Sequence, residues 1–139
     1  MSKLEFPKAA DGHFYLPIIL PFHDNVIFIP RCFVDCGATK CVIPRLANDN
    51  TFHFPKTGVD HNVGTGKGER DFDCITIPQI TIMNLEMIEG TLKFIETKMQ
   101  EKDVEGWLGD DDDDFILGMS FLNKFDITMT KKGTIVINR

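Results

Sequence analysis

Apolar side chains dominate residues 14–44, and a polar break at His23-Asp24-Asn25 divides them into two runs. Asp and Asn favour tight turns, so the pattern predicts a β-hairpin. Its second arm, residues 26–34, runs into Asp35-Cys36-Gly37, where glycine permits a sharp bend, and Cys41-Val42-Ile43 resumes a short strand before Pro44. Asp35 is therefore expected in a tight loop between strands. Residues 45–58 are mixed and polar and fit a short turn of helix and an irregular connection. Gly58, Gly64, Gly66 and Gly68 punctuate a polar stretch that precedes strand-like residues 72–77, which predicts a hairpin with a glycine-rich tip able to open and close.

Two further β-branched runs, residues 75–83 and 87–95, flank Asn84-Leu85-Glu86 and predict another strand pair. Residues 96–114 are charged and poorly patterned, and no element is assigned to them. Phe115-Ile116-Leu117-Gly118 leads into a short helix expected to carry Met119, Leu122 and Phe125 on one face. The chain then closes with a hairpin turning at Lys131-Lys132-Gly133, whose apolar Ile135-Val136-Ile137 would suit a sheet shared with a second copy. Neither an internal repeat nor a linker interrupts this order, so one domain over residues 1–139, built almost wholly of strands, is the expectation.

A chain of 139 residues can bury a core without disulfides or metal. Its 42% hydrophobic and 26% charged residues give a globular balance, with twelve Phe supplying bulk. The net charge of -6 offers no basic footprint, which argues against nucleic acid or an anionic membrane as partner. The opening residues lack the apolar core of a signal peptide, and no apolar stretch reaches the length of a membrane span. A soluble, cytoplasmic protein is the expectation.

Cys32, Cys36, Cys41 and Cys74 lack paired Cys-x-x-Cys knuckles, so buried reduced thiols are expected rather than a zinc site or a disulfide framework. Asp110 to Asp114 lacks the alternation and the glycine of a calcium loop and reads as a solvated acidic segment. His13, His23, His53 and His61 form no ligand-spaced pair and are expected at the surface. No metal or other cofactor is expected.

Three segments together resemble the retropepsin-like aspartic protease family, in particular its small, single-domain bacterial-type relatives. Phe33-Val34-Asp35-Cys36-Gly37-Ala38-Thr39, followed by Val42-Ile43 and Pro44, is similar to the family's active-site loop. The stretch from Val63 to Gly68 resembles a flap, and Ile116-Leu117-Gly118-Met119-Ser120-Phe121-Leu122 resembles the strand and helix behind the loop. Asp-x-Gly alone is a weak signal, since Asp also serves in ordinary sharp turns; the first and third segments in this order carry the likeness. It spans residues 14–137.

What the resemblance implies is an acid-protease fold: a closed, barrel-like β domain with one short C-terminal helix, assembled as a homodimer. Asp35 would be the catalytic carboxylate, with Cys36, Gly37, Ala38 and Thr39 forming its loop. Gly64, Thr65, Gly66, Lys67 and Gly68 would form a flap over a peptide or protein substrate, and Ile116, Leu117 and Gly118 would support the loop. Hydrolysis in this class needs two carboxylates sharing a proton around a water, and this chain offers one suitable loop, so the second would come from a second copy. Cys36 departs from the family's Thr or Ser, whose hydroxyl braces the paired loops; a thiol is a weaker donor and acceptor. Two alternatives follow from it: a weakly active or inactive dimer that binds an extended segment of a partner, and a thiol sensor in which paired Cys36 residues oxidise.

Overall fold

The computed structural model describes residues 3–95 and 99–139. Its strands are β1 (Lys3–Pro7), β2 (Tyr15–Phe22), β3 (Asn25–Val34), β4 (Cys41–Pro44), β5 (Lys56–Thr65) and β6 (Gly68–Ile82), then β7 (Asn84–Ile88), β8 (Thr91–Ile95), β9 (Gln100–Gly109), β10 (Ile116–Leu117), β11 (Asp126–Met129) and β12 (Thr134–Asn138). Two short helices, α1 (Arg45–Ala47) and α2 (Met119–Leu122), complete the set, with a π-helical turn at Asn48–Phe52 after α1.

Strict alternation of buried and half-buried positions along β2 turns Leu16, Ile18 and Leu20 inward, each contributing about 1.5–3 kcal/mol by leaving water. β2 pairs with β3 on one side and with the end of β6 on the other, so the order β2-β3-β10-β4-β9-β6 returns to β2 and closes a six-stranded barrel. Closure removes the free sheet edges that an open arrangement would leave. β4 lies inside this ring with all four residues buried, which explains its unbroken apolar sequence. β5 continues the sheet beyond β6 as the outer arm of a hairpin. A three-stranded sheet, β1-β12-β11, turns Leu4, Ile135 and Ile137 into the same apolar core as the barrel and α2. Ile135 and Ile137 are thus satisfied within one chain.

The β2–β3 hairpin, the glycine-rich hairpin and the final hairpin fall where the sequence places them. Four expectations are corrected. The charged stretch 96–114 contains β9, a central barrel strand; Glu101, Lys102, Asp103 and Glu105 obscure a ladder whose buried part is Val104, Gly106, Trp107 and Leu108. Residues 96–98 of that stretch, like residues 1 and 2, lie outside the described residues. Residues 75–83 belong to the long β6, while Asn84-Leu85-Glu86 is itself strand, and the turn falls at Glu89-Gly90, both at positive φ (52° and 78°). Such a two-residue turn matches the strand twist, and glycine makes it accessible there and not at Asn84. On α2, Phe121 and Leu122 are buried and Met119 faces outward, because four residues make too short a helix to present the expected stripe. Finally, all four cysteines are free thiols, but only Cys32, Cys41 and Cys74 are buried; Cys36 is exposed. The four histidines are exposed as expected.

Candidate active site

β3 delivers Asp35 into the bend that precedes β4. The residue's own N–H donates to the Leu117 carbonyl (3.0 Å), extending the parallel β3–β10 ladder by one step beyond Val34 and Leu117. Its Oδ1 accepts from Gly37 N–H (2.9 Å), and its carbonyl from Ala38 N–H (3.2 Å). These bonds fix the carboxylate by local turn chemistry, so the turn role open to any Asp is present here together with the position at the cleft. A Cβ on Gly37 would stand 3.2 Å from Asp35 Oδ1, a tight fit that favours glycine.

Behind the loop the third sequence segment forms a brace. Met119 N–H donates to the Ala38 carbonyl (2.8 Å) and Ser120 N–H to the Thr39 carbonyl (2.9 Å). Ser120 Oγ accepts from Cys41 N–H (3.1 Å) and donates to the Glu105 carbonyl (2.6 Å), tying β4, α2 and β9 together. Gly118 has no room for a side chain: a Cβ would lie 2.3 Å from the Lys40 carbonyl oxygen and 2.8 Å from that of Ala38. Burial pushes the thiols of Cys32 and Cys41 up, which keeps both protonated and inert.

The β5–β6 hairpin turns at Gly66-Lys67, and its tip lines a cleft together with this loop. The cleft has a volume of about 590 Å³. Asp35, Gly37, Ala38 and Thr39 of the loop, Gly64, Thr65, Gly66 and Lys67 of the hairpin, and Ile116 of β10 all line it. Cys36 and Gly68 lie off the lining, and Leu117 and Gly118 are buried behind it. Val42, Val63, Phe72 and Trp107 supply the apolar wall; Phe72 and Trp107 stack at 4.8 Å with ring planes 14° apart, an arrangement worth about 0.5–1.5 kcal/mol beyond area. Sequence reasoning missed this wall, since no spacing rule brings residues 42, 72 and 107 together; the lone tryptophan in a charged segment was the available cue.

Charged groups ring the opening. Arg70 holds Asp110 through two 2.9 Å hydrogen bonds and covers the Phe72 ring at 4.5 Å, which draws the Asp110 carboxyl below its usual range. Asp113 lines the cleft and accepts from Asp110 N–H, so the acidic segment is partly built into the site and not wholly solvated. Asp110, Asp112 and Asp113 bring carboxylate oxygens within 4.8 Å of one another at the surface. Outside the lining, the partly exposed Asp60 accepts at one oxygen from Lys40 Nζ (2.8 Å) and Trp107 Nε1 (2.7 Å), and these donors, Lys40 foremost, lower its carboxyl to about 2.

Among solved structures, the crystal structure of a retropepsin-like aspartic protease from Rickettsia conorii is similar, with a TM-score of 0.61. The superposition covers 98% of this chain and 90% of that one, at 20% sequence identity. The chain has the retropepsin-like fold. No protein-family model matches the sequence, and no curated protein is significantly similar to it. At this identity the fold is shared, and fold alone does not establish activity. Among the described residues no helix is long and apolar enough to cross a membrane.

Proposed function

We propose that the chain is an aspartic endopeptidase in which Asp35 from each of two copies forms the catalytic dyad across a two-fold axis. The observation that supports this reading is that the Asp35 loop and the glycine-rich hairpin line the same cleft in a retropepsin-like fold. One chain supplies one such loop, and Cys36 and Gly37 at its apex are exposed, leaving room for a second loop to meet it. The dyad would share one proton: the ionised carboxylate accepts a proton from the attacking water while the protonated partner donates to the scissile carbonyl. An extended peptide would lie between loop and hairpin, its side chains against Val42, Phe72 and Trp107, and closure of the hairpin would exclude water. A peptide or protein substrate, an acidic to mildly acidic optimum and a cofactor-free mechanism follow, and the negative net charge gives no reason to add nucleic acid or membrane as partner.

One observation favours a second reading. Cys36 is exposed where the family's hydroxyl would brace the paired loops, and a weaker brace suits a poorly active dimer that holds an extended segment of a partner protein. Incubation with a diverse peptide pool over roughly pH 4 to 8, for wild type and Asp35→Asn, separates the two. The protease reading expects cleavage that the mutant loses while keeping its fold; peptide binding without cleavage would favour the second reading. Sedimentation showing only monomer at high micromolar concentration would count against both.

A further inference from the structure

Two irregularities interrupt the β5–β6 ladder, one at its foot between Lys56 and Gly58 and a bulge between Asp60 and Val63. Asp60 pairs with Phe72, the next paired residue is Val63 opposite Arg70, and His61 and Asn62 fall between. Asn62 takes a left-handed φ of 55°. Its N–H donates to Asp71 Oδ1 (3.0 Å), and His61 Nδ1 stands 3.1 Å from Asp71 Oδ2. A bulge interrupts the ladder and bends the strand, which makes residues 61 and 62 a natural hinge.

Immediately below this hinge, Asp60 is fixed from two directions. Lys40, which donates to it, directly follows the loop of Asp35 to Thr39; Trp107, which also donates to it, stands on β9 in the barrel wall and stacks on Phe72. The Lys40 side chain is 18% exposed and that of Asp60 38%, and the Lys40 ammonium also faces Glu105 Oε2 and Cys74 Sγ, each at 3.9 Å. Hairpin, loop and barrel therefore meet at one carboxylate oxygen. Charge-assisted bonds in a partly dry setting hold more firmly than exposed pairs.

We propose that Asp60 is a positioning residue: with Lys40 and Trp107 it latches the base of the hairpin to the Asp35 loop and the barrel wall, confines hinge motion to residues 61–71, and keeps the closing tip in register with Asp35. That this register serves closure over a peptide rests on the protease reading; the latch itself does not. The cleft-lining tip, Val63 to Lys67, lies wholly beyond the hinge, while the Phe72–Trp107 wall lies at its base.

Hydrogen exchange by NMR tests this without substrate. Trp107 is the sole tryptophan, so its indole N–H gives a single resonance. In wild type that proton is expected to exchange slowly. Asp60→Asn, which keeps an acceptor but removes the charge, should speed indole exchange and the amides of residues 68–74 by about ten-fold or more. Amides of β2 should change by less than about two-fold. Lys40→Met, which leaves Asp60 and Trp107 in place, should loosen the same hairpin amides, and it keeps the test open should Asp60→Asn not fold. Unchanged hairpin exchange in the folded variants, or acceleration spread equally over β2, would overturn the latch. With a preparation that cleaves peptides, Asp60→Asn should raise KM several-fold with little change in kcat; equal loss in kcat alone would also contradict it. A wild type that shows the exchange pattern but cleaves nothing removes the protease reading and leaves the latch standing, whereas cleavage without the pattern does the reverse.

Discussion

Replacing Gly118 by alanine adds one methyl group at the place where the chain packs most tightly behind Asp35. The new Cβ would stand 2.3 Å from the Lys40 carbonyl oxygen, 2.6 Å from its carbonyl carbon and 2.8 Å from the Ala38 carbonyl oxygen. All three are backbone atoms, so no side chain can swing away. Gly118 has φ −103° and ψ −174°, which alanine adopts freely, so the cost is steric and not conformational. Relief requires the loop to separate from α2 by roughly 1 Å, an overpacking that costs about 1–3 kcal/mol. The same movement stretches the bonds from Met119 and Ser120 to Ala38 and Thr39, each worth about 1 kcal/mol. A loss of up to about 3–5 kcal/mol follows, a large fraction of the roughly 5–15 kcal/mol that holds a domain folded. Urea denaturation of wild type and Gly118→Ala measures it. Gly64→Ala is the control, since a Cβ there meets nothing within 4 Å and φ is not positive, so stability should be unchanged or slightly raised. A midpoint for Gly118→Ala equal to that of the control would refute the packing argument.

Ser120→Ala removes the hydroxyl that accepts from Cys41 N–H inside the core, and leaving that donor unpaired should cost about 1–3 kcal/mol, read from the same denaturation curves. Cys36→Thr restores a hydroxyl at the loop apex; if it braces paired loops, each new bond contributes about 0.5–1.5 kcal/mol, and dimer affinity or cleavage rate should rise several-fold under reducing conditions. No gain in either would favour a different role for Cys36. Asp60, held at about 2 in the folded state against 3.8 normally, contributes stability that is complete above pH 4 and drains away as pH falls toward 2. Asp60→Asn should therefore flatten the acid limb of the stability curve between those values; an unaltered limb would show that other carboxylates govern it.

What the sequence revealed and what it hid have physical causes. The turn at Asp35, the glycine-rich hairpin and the strand at Ile116 were legible because turns, glycines and apolar ladders are local, and their order along the chain carries the resemblance. β9 was not, because a barrel strand exposed at one end carries Glu101, Lys102 and Asp103 there, and its inward residues show only once β4 and β6 flank it. The turn at Glu89-Gly90 is masked by the polar Asn84 and Glu86 nearby, although Gly90 supplies the positive φ that such a turn needs. The apolar wall of the cleft and the Lys40–Asp60–Trp107 cluster depend on pairings between distant strands, which no single-sequence period encodes.

Mixing wild type with Asp35→Asn shows whether the two carboxylates come from different chains. Chains are combined at fixed total concentration, allowed to exchange subunits, and assayed for peptide cleavage. If each copy contributes one carboxylate to a shared dyad, only wild-type pairs are active, and an equal mixture should retain about a quarter of the activity. Activity that instead falls in simple proportion, to about half, would mean that a single chain carries the chemistry and would rule out a dyad shared between copies.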